Sequence, residues 1–265
     1  MPDFRVGDVR ISYQFDVAGG STIVLLNGIA MSMGHWKPLM KALGGMRGFL
    51  CHDFRGQSLS DKPAGPYSFD LHARDLKALL EGLGIGKAHI VGTSYGSEVA
   101  MAFASTYPEA CSSLCLIDGV SELDPVLESA AESWKAAALA DPRAFYKTLL
   151  PWTYSNAYLA ANRDALKARE DAIAALPPEW FRGFAALCDA FLAIDLTPRL
   201  GSISCPTLVM VGDEDILKPE KFSRIMAREI PHARLEIIEG AGHASVIEMP
   251  GRVASSLATF LEEVE

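Results

Sequence analysis

Six short apolar runs rich in β-branched residues punctuate the chain: TIVLLN (22–27), GFLCHDF (48–54), AHIVGT (88–93), SLCLID (113–118), PTLVMVG (206–212) and RLEIIEG (234–240). Most are apolar almost without interruption, the pattern of strands buried on both faces. Helix-length segments separate them at 35–43, 70–83, 95–107, 220–229 and 245–261. Strand and helix in alternation imply right-handed crossovers and a mostly parallel, doubly wound α/β sheet covered by helices. The stretch VRISYQFDV from Val9 alternates in character and reads as an antiparallel strand leading into that sheet.

The alternation stops between residues 121 and 202. About eighty residues there carry helical patterns, prolines at 125, 142, 151, 177, 178 and 198, and no convincing strand. That is too long for a connection. We read it as a helical cap (121–202) inserted into a core made of 1–120 and 203–265. The cap holds Trp134, Trp152 and Trp180 together with Tyr154 and several phenylalanines. Packing on a sheet needs aromatic residues in any case, so these tryptophans and Tyr154 are candidates for a substrate pocket on composition alone.

Among the six runs, AHIVGT leads directly into SYGSEVAMAFASTY, which sets Ser94 in a G-x-S-x-G frame between a strand and a helix. A serine on such a turn projects from the carboxyl edge of the sheet, with Gly92 and Gly96 allowing close backbone approach. The amide of Tyr95, at the helix start, is placed to donate to a developing oxyanion. A plain N-cap serine has the same local sequence. The chemical reading therefore requires a base and an acid, because a serine hydroxyl is a poor nucleophile until its proton is removed.

Both are present in the order serine, acid, histidine. His243 follows the last strand in the loop GAGHASVIEMP, and Asp215 follows the preceding one in GDEDILKP. Asp213 and Glu214 share that loop and suit a turn; Asp118, at the end of SLCLID, is a second candidate for the acid. His35, His52, His72, His89 and His232 lie in helical segments, strand ends or a polar loop, where packing or surface roles prevail. A second oxyanion donor belongs in the loop after the 22–27 strand, where Gly28 opens the turn and the amide of Ile29 follows.

Together these segments resemble the α/β-hydrolase superfamily, in particular its small capped members: esterases, enol-lactonases, carbon–carbon bond hydrolases and cofactor-free haloperoxidases. The likeness runs through five blocks in order: NGIAMSMGHW, DFRGQSLSDKP, GTSYG, GDEDILKP and GAGHASVIEMP. It implies a sheet of about eight strands, a triad of Ser94, Asp215 and His243, and oxyanion amides from Ile29 and Tyr95. Asn27 stands where the family usually has histidine, and Ser58 and Ser97 stand where glycine is common; serine restricts φ at both places. A serine rather than an aspartate nucleophile argues against an alkyl-enzyme ester and for acyl transfer. The expected activity is hydrolysis of a small, mostly apolar carboxylic ester or lactone. Two alternatives use the same scaffold: a ligand receptor or signalling protein, and cofactor-free perhydrolysis, lyase or carbon–carbon bond chemistry.

Composition narrows the partners. The net charge of -9 disfavours a nucleic acid or an anionic membrane surface and leaves a small molecule. Five cysteines without C-x-x-C spacing suggest neither a disulfide framework nor zinc, and no other cluster has metal-ligand spacing. No G-x-G-x-x-G opens a helix after the first strand, so no nucleotide cofactor is expected. With no apolar run near 18 residues and no basic leader, the expected location is cytoplasmic; an apolar patch on the cap leaves room for a homodimer.

Overall fold

The computed structural model describes residues 1–17, 20–44 and 47–265. Its eight strands are β1 (Asp3–Val6), β2 (Val9–Asp16), β3 (Thr22–Leu26), β4 (Gly48–His52), β5 (Ala88–Thr93), β6 (Cys111–Ile117), β7 (Thr207–Gly212) and β8 (Arg234–Ile238). They form one sheet in the order β1-β2-β4-β3-β5-β6-β7-β8. β1, β2 and β4 pair antiparallel, and every pairing from β4 onward is parallel.

The unbroken apolar runs follow from the pleat. Val24, Leu26, Ile90, Leu114, Leu116 and Val209 face one layer, which includes α2 (Phe69–Gly82), α3 (Tyr95–Thr106) and α9 (Glu220–Glu229). The alternate residues Ile23, Leu25, Val91, Cys115, Ile117 and Met210 face Trp36, α1 (Lys37–Leu43) and α11 (Pro250–Val264). Both sets are buried, so the inner strands are apolar on both faces except where buried polar groups pair, as His89 does with Ser113 at 2.8 Å.

β1 is absent from the sequence reading. It is four residues long, half-exposed, and joined to β2 by a two-residue Gly7-Asp8 turn, with Gly7 at φ +58°. That Gly-Asp pair between Val6 and Val9 is the hairpin signal that marks it. Several other strands end earlier than their apolar runs, because Asn27, Asp53, Phe54, Asp118 and Gly240 leave the sheet to build loops at its carboxyl edge. The last helix is split: α10 (Ser245–Glu248) stops before Pro250, which opens α11 as its first residue.

Between β6 and β7 lie α4 (Pro125–Ala140), α5 (Pro142–Thr153), α6 (Asn156–Ala161), α7 (Arg163–Ala174) and α8 (Pro178–Leu192). Three of the prolines that interrupt the sequence pattern mark helix starts: Pro125, Pro142 and Pro178 each occupy a first helical position, where a missing N–H is harmless, whereas Pro151 lies inside α5. Asp124, Asp141 and Ser155 cap α4, α5 and α6 by accepting backbone N–H bonds. None of the described helices is long and apolar enough to cross a membrane.

The chain leaves β3 to form β4 on one side and returns to form β5 on the other. The loops after β3 and β5 therefore diverge at adjacent strand ends, the place where parallel sheets open a crevice.

Candidate active site

Ser94 follows β5 directly and holds φ +52°, ψ −120°, outside the conformations an L-residue favours. Close packing enforces this turn. A Cβ on Gly92 would lie 2.2 Å from Gly96 O, and one on Gly96 would lie 2.1 Å from Leu26 O. The turn is braced by Ser94 N donating to Ile117 O at 2.8 Å. Ser97, where glycine is common, sits inside α3; its hydroxyl donates to Gly92 O at 2.7 Å and accepts from Ile117 N at 3.0 Å. Ser58 adopts φ +32° in spite of its side chain.

His243 lies in the loop after β8, with Nε2 2.9 Å from Ser94 Oγ and Nδ1 2.8 Å from Asp215 Oδ2. A carboxylate only accepts, so the ring proton sits on Nδ1 and Nε2 is free to accept from the serine hydroxyl. The other oxygen of Asp215 accepts from Leu217 N at 2.9 Å and Lys218 N at 2.8 Å, which fixes the carboxylate in one orientation. Asp213 and Glu214 are exposed, and Asp213 accepts from Gly240 N across the neighbouring turn.

Asp118 does not reach the histidine. It is fully buried and accepts from Gly212 N, Ser245 N and the Ser245 hydroxyl, tying β7 to the start of α10. Burial, reinforced by the nearby charge of Asp215, pushes its pKa up to about 7.

The loop after β3 is held by a polar network that the sequence reading did not contain. Asn27 Oδ1 accepts from the Trp36 indole at 2.8 Å, and its amide donates to His52 O and Asp53 Oδ1. Gln57 Nε2 donates to Gly28 O at 2.8 Å and Ile29 O at 3.0 Å. The Gln57 bonds engage the carbonyls of Gly28 and Ile29, while the N–H groups of Ile29 and Tyr95 meet no acceptor among the described residues. Both residues line a cavity that also includes Ser94 and His243. An asparagine in the usual histidine position thus anchors the loop from both ends of its amide.

That cavity is walled by apolar side chains from the helices between β6 and β7, among them Leu127, Trp134, Leu149 and Phe191, and by Gly28 and Tyr154. Trp152 and Trp180 are corrections to the composition argument: neither lines it. On α5, Leu149 and Thr153 share the face turned to the cavity, and Trp152, one residue away from Thr153, is rotated off it. Trp180 stacks on Phe184 and meets Phe145 edge-on, and lines a separate crevice with Phe184, Ile29 and Gln57.

A buried ion pair stands beside the serine. Lys218 Nζ lies 3.0 Å from Glu98 Oε1, with side chains 2% and 0% exposed. The ammonium also reaches Ser94 Oγ at 3.4 Å and lies 4.8 Å from the centre of the Phe191 ring. Glu98 Oε1 accepts from Val120 N at 2.9 Å, and Oε2 has no partner among the described residues. Burial raises the Glu98 pKa, and Lys218 opposes the shift. Glu98 is one turn beyond Ser94 on α3, a spacing visible in sequence. Lys218 is 120 residues away, so the pair itself was invisible.

A family model described as the alpha/beta hydrolase fold matches residues 21–250. A protein of Caulobacter segnis provisionally named the carbamate hydrolase RutD is 30% identical over 251 residues, covering 93% of each chain. Among solved structures, an α/β hydrolase enzyme from a Medee basin deep-sea metagenome library superposes with a TM-score of 0.94 at 27% identity, covering 98% of this chain and 97% of its own. The enol-lactonase from Burkholderia xenovorans LB400 superposes at 0.89 with 25% identity, covering 98% and 100%.

Proposed function

Because this chain belongs to the α/β-hydrolase family, we propose that it is a serine hydrolase cleaving small carboxylic esters or lactones through an acyl-enzyme on Ser94. One observation carries the reading: Ser94 Oγ, His243 and Asp215 form a continuous hydrogen-bonded chain with links of 2.9 and 2.8 Å. The relatives named as a carbamate hydrolase and an enol-lactonase support hydrolysis at an acyl carbon.

In this mechanism His243 Nε2 takes the Ser94 proton as Oγ bonds to the substrate carbonyl carbon. The carbonyl electrons move onto oxygen, where the N–H groups of Ile29 and Tyr95 serve as the oxyanion hole. The intermediate collapses by breaking the bond to the leaving oxygen, which receives the proton from Nε2. For a lactone the leaving alcohol stays tethered to the acyl group. Water then gives its proton to Nε2 and attacks the acyl carbon; a second collapse releases the acid and returns the proton to Oγ. Asp215 holds the imidazole in its Nδ1–H form and stabilises the imidazolium in both halves. The helices between β6 and β7 act as a cap, shielding the reacting atoms from bulk water.

Turnover of short acyl esters and lactones in ¹⁸O-labelled water tests the reading. One labelled oxygen in the product acid, lost in Ser94→Ala, is the expected result. Unlabelled product, or turnover undiminished in Ser94→Ala, overturns it.

A further inference from the structure

Two cations line the cavity, Lys218 and Arg169, and they differ in what neutralises them. The charge of Lys218 is answered by Glu98. Arg169, half-buried on α7, meets only neutral groups: Nη2 donates to His35 Nε2 at 2.8 Å and Nη1 to the Tyr154 hydroxyl at 3.3 Å. No carboxylate lies within ion-pair range of it among the described residues. The acid adjacent in sequence, Glu170, is engaged by Arg143, Lys147 and Lys167 instead. Glu248, beyond Tyr154, accepts from Ser155 N and Gly242 N.

The guanidinium is held in place on both sides. Tyr154 stacks on Tyr158, with ring centres 4.8 Å apart, and this fixes its hydroxyl. A guanidinium only donates, so His35 accepts at Nε2 and carries its proton on Nδ1, which faces Ser32 O at 3.1 Å with Ser32 N also 3.0 Å away. A guanidinium has five N–H donors, and two are used here. A partly desolvated cation with neutral partners and spare donors is a poor structural element but a ready receptor for a planar anion.

We propose that the substrate carries a carboxylate, and that Arg169 receives it in charge-assisted hydrogen bonds while the ester or lactone carbonyl meets Ser94. The apolar wall of Leu127, Ala131, Leu149 and Phe191 then suits an aliphatic spacer between the two groups. The substrate class is a monoester or lactone derived from a short aliphatic dicarboxylic acid. The reacting end of this assignment rests on the acyl-transfer reading above; the anion subsite does not.

The test sets the monoethyl esters of glutaric, adipic and pimelic acid against the ethyl esters of the corresponding neutral monoamides, with ethanol release as readout. At one chain length or more, kcat/KM should favour the acid by about 10- to 100-fold, the scale of a charge-assisted hydrogen bond. Arg169→Gln should bring that ratio near one, chiefly through KM, and Arg169→Lys should retain part of it. A wild-type ratio at or below one at every length overturns the proposal, as does an unchanged ratio in Arg169→Gln. Calorimetry on Ser94→Ala with the same esters separates the two readings. Selective binding of the acid without wild-type turnover keeps the subsite and removes the acyl transfer. Equal binding of acid and amide removes the subsite.

Discussion

Lys218 and Glu98 face each other at 3.0 Å in the interior of the protein, and the same ammonium lies 3.4 Å from Ser94 Oγ. Taking both charges out of water is expensive, and removing one leaves the other uncompensated. Lys218→Met is therefore expected to lose about 3–5 kcal/mol of unfolding free energy. Lys218→Met combined with Glu98→Leu should recover most of that loss. Urea denaturation of the single and double variants checks this; equal losses in both remove the ion pair as the cause.

Asp215 and Asp118 are both buried acids near His243, but only Asp215 touches it. Asp215→Asn presents the ring with the wrong partner and should lower kcat by about 10⁴-fold, with Ser94→Ala at least as severe. Asp118→Asn should keep activity within about 10-fold of wild type, since its bonds run to backbone and Ser245. Steady-state kinetics on the purified variants decide between the acids.

Asp118 also shapes the pH dependence of stability. Its folded-state pKa of about 7 lies above the ordinary carboxylate value of 3.8. Between those values the folded protein keeps a proton that the unfolded chain releases, so the contribution of this group to stability falls as pH rises, and levels off above the folded pKa. Denaturation at half-unit steps from pH 4.5 to 7.5 should show wild type losing stability relative to Asp118→Asn. A constant difference across that range contradicts the assignment.

Gln57 supports the loop that carries the Ile29 amide through two carbonyl bonds. Gln57→Leu removes those bonds and lets the amide drift, which should lower kcat by roughly 10- to 100-fold with little change in KM. A change confined to KM places Gln57 in substrate binding instead.

On the helices between β6 and β7, Trp134 lines the cavity and Trp180 packs among aromatic neighbours. Trp134→Leu should shift the preferred acyl length, whereas Trp180→Leu should lower thermal stability and leave the preference in place. A length series of esters and a melting curve for each variant distinguish the two.

Much of this architecture was legible because it depends on local signals. Strands such as TIVLL and TLVMVG are apolar at nearly every position since both faces are covered, and Ser94, Asp215 and His243 each lie in a loop or turn just after a strand. The sharp turn at Ser94 is signalled by its flanking glycines, whose Cβ atoms would strike backbone. What escaped depends on pairing across the chain. Lys218 meets Glu98, Arg169 meets His35 and Asn27 meets Trp36 only after the fold is assembled, and no single stretch records those contacts. The face of a tryptophan on a helix between β6 and β7 is likewise set by how the helix docks: Trp134 lines the cavity and Trp152 does not.

The central claim is that Ser94 is an activated nucleophile. Intact mass after incubation with a fluorophosphonate tests it without knowledge of the substrate. One adduct per chain on the wild-type protein, absent in a folded Ser94→Ala variant, is the predicted result. An adduct that persists in the variant, or none on folded wild-type protein with a probe small enough to enter the cavity, contradicts it.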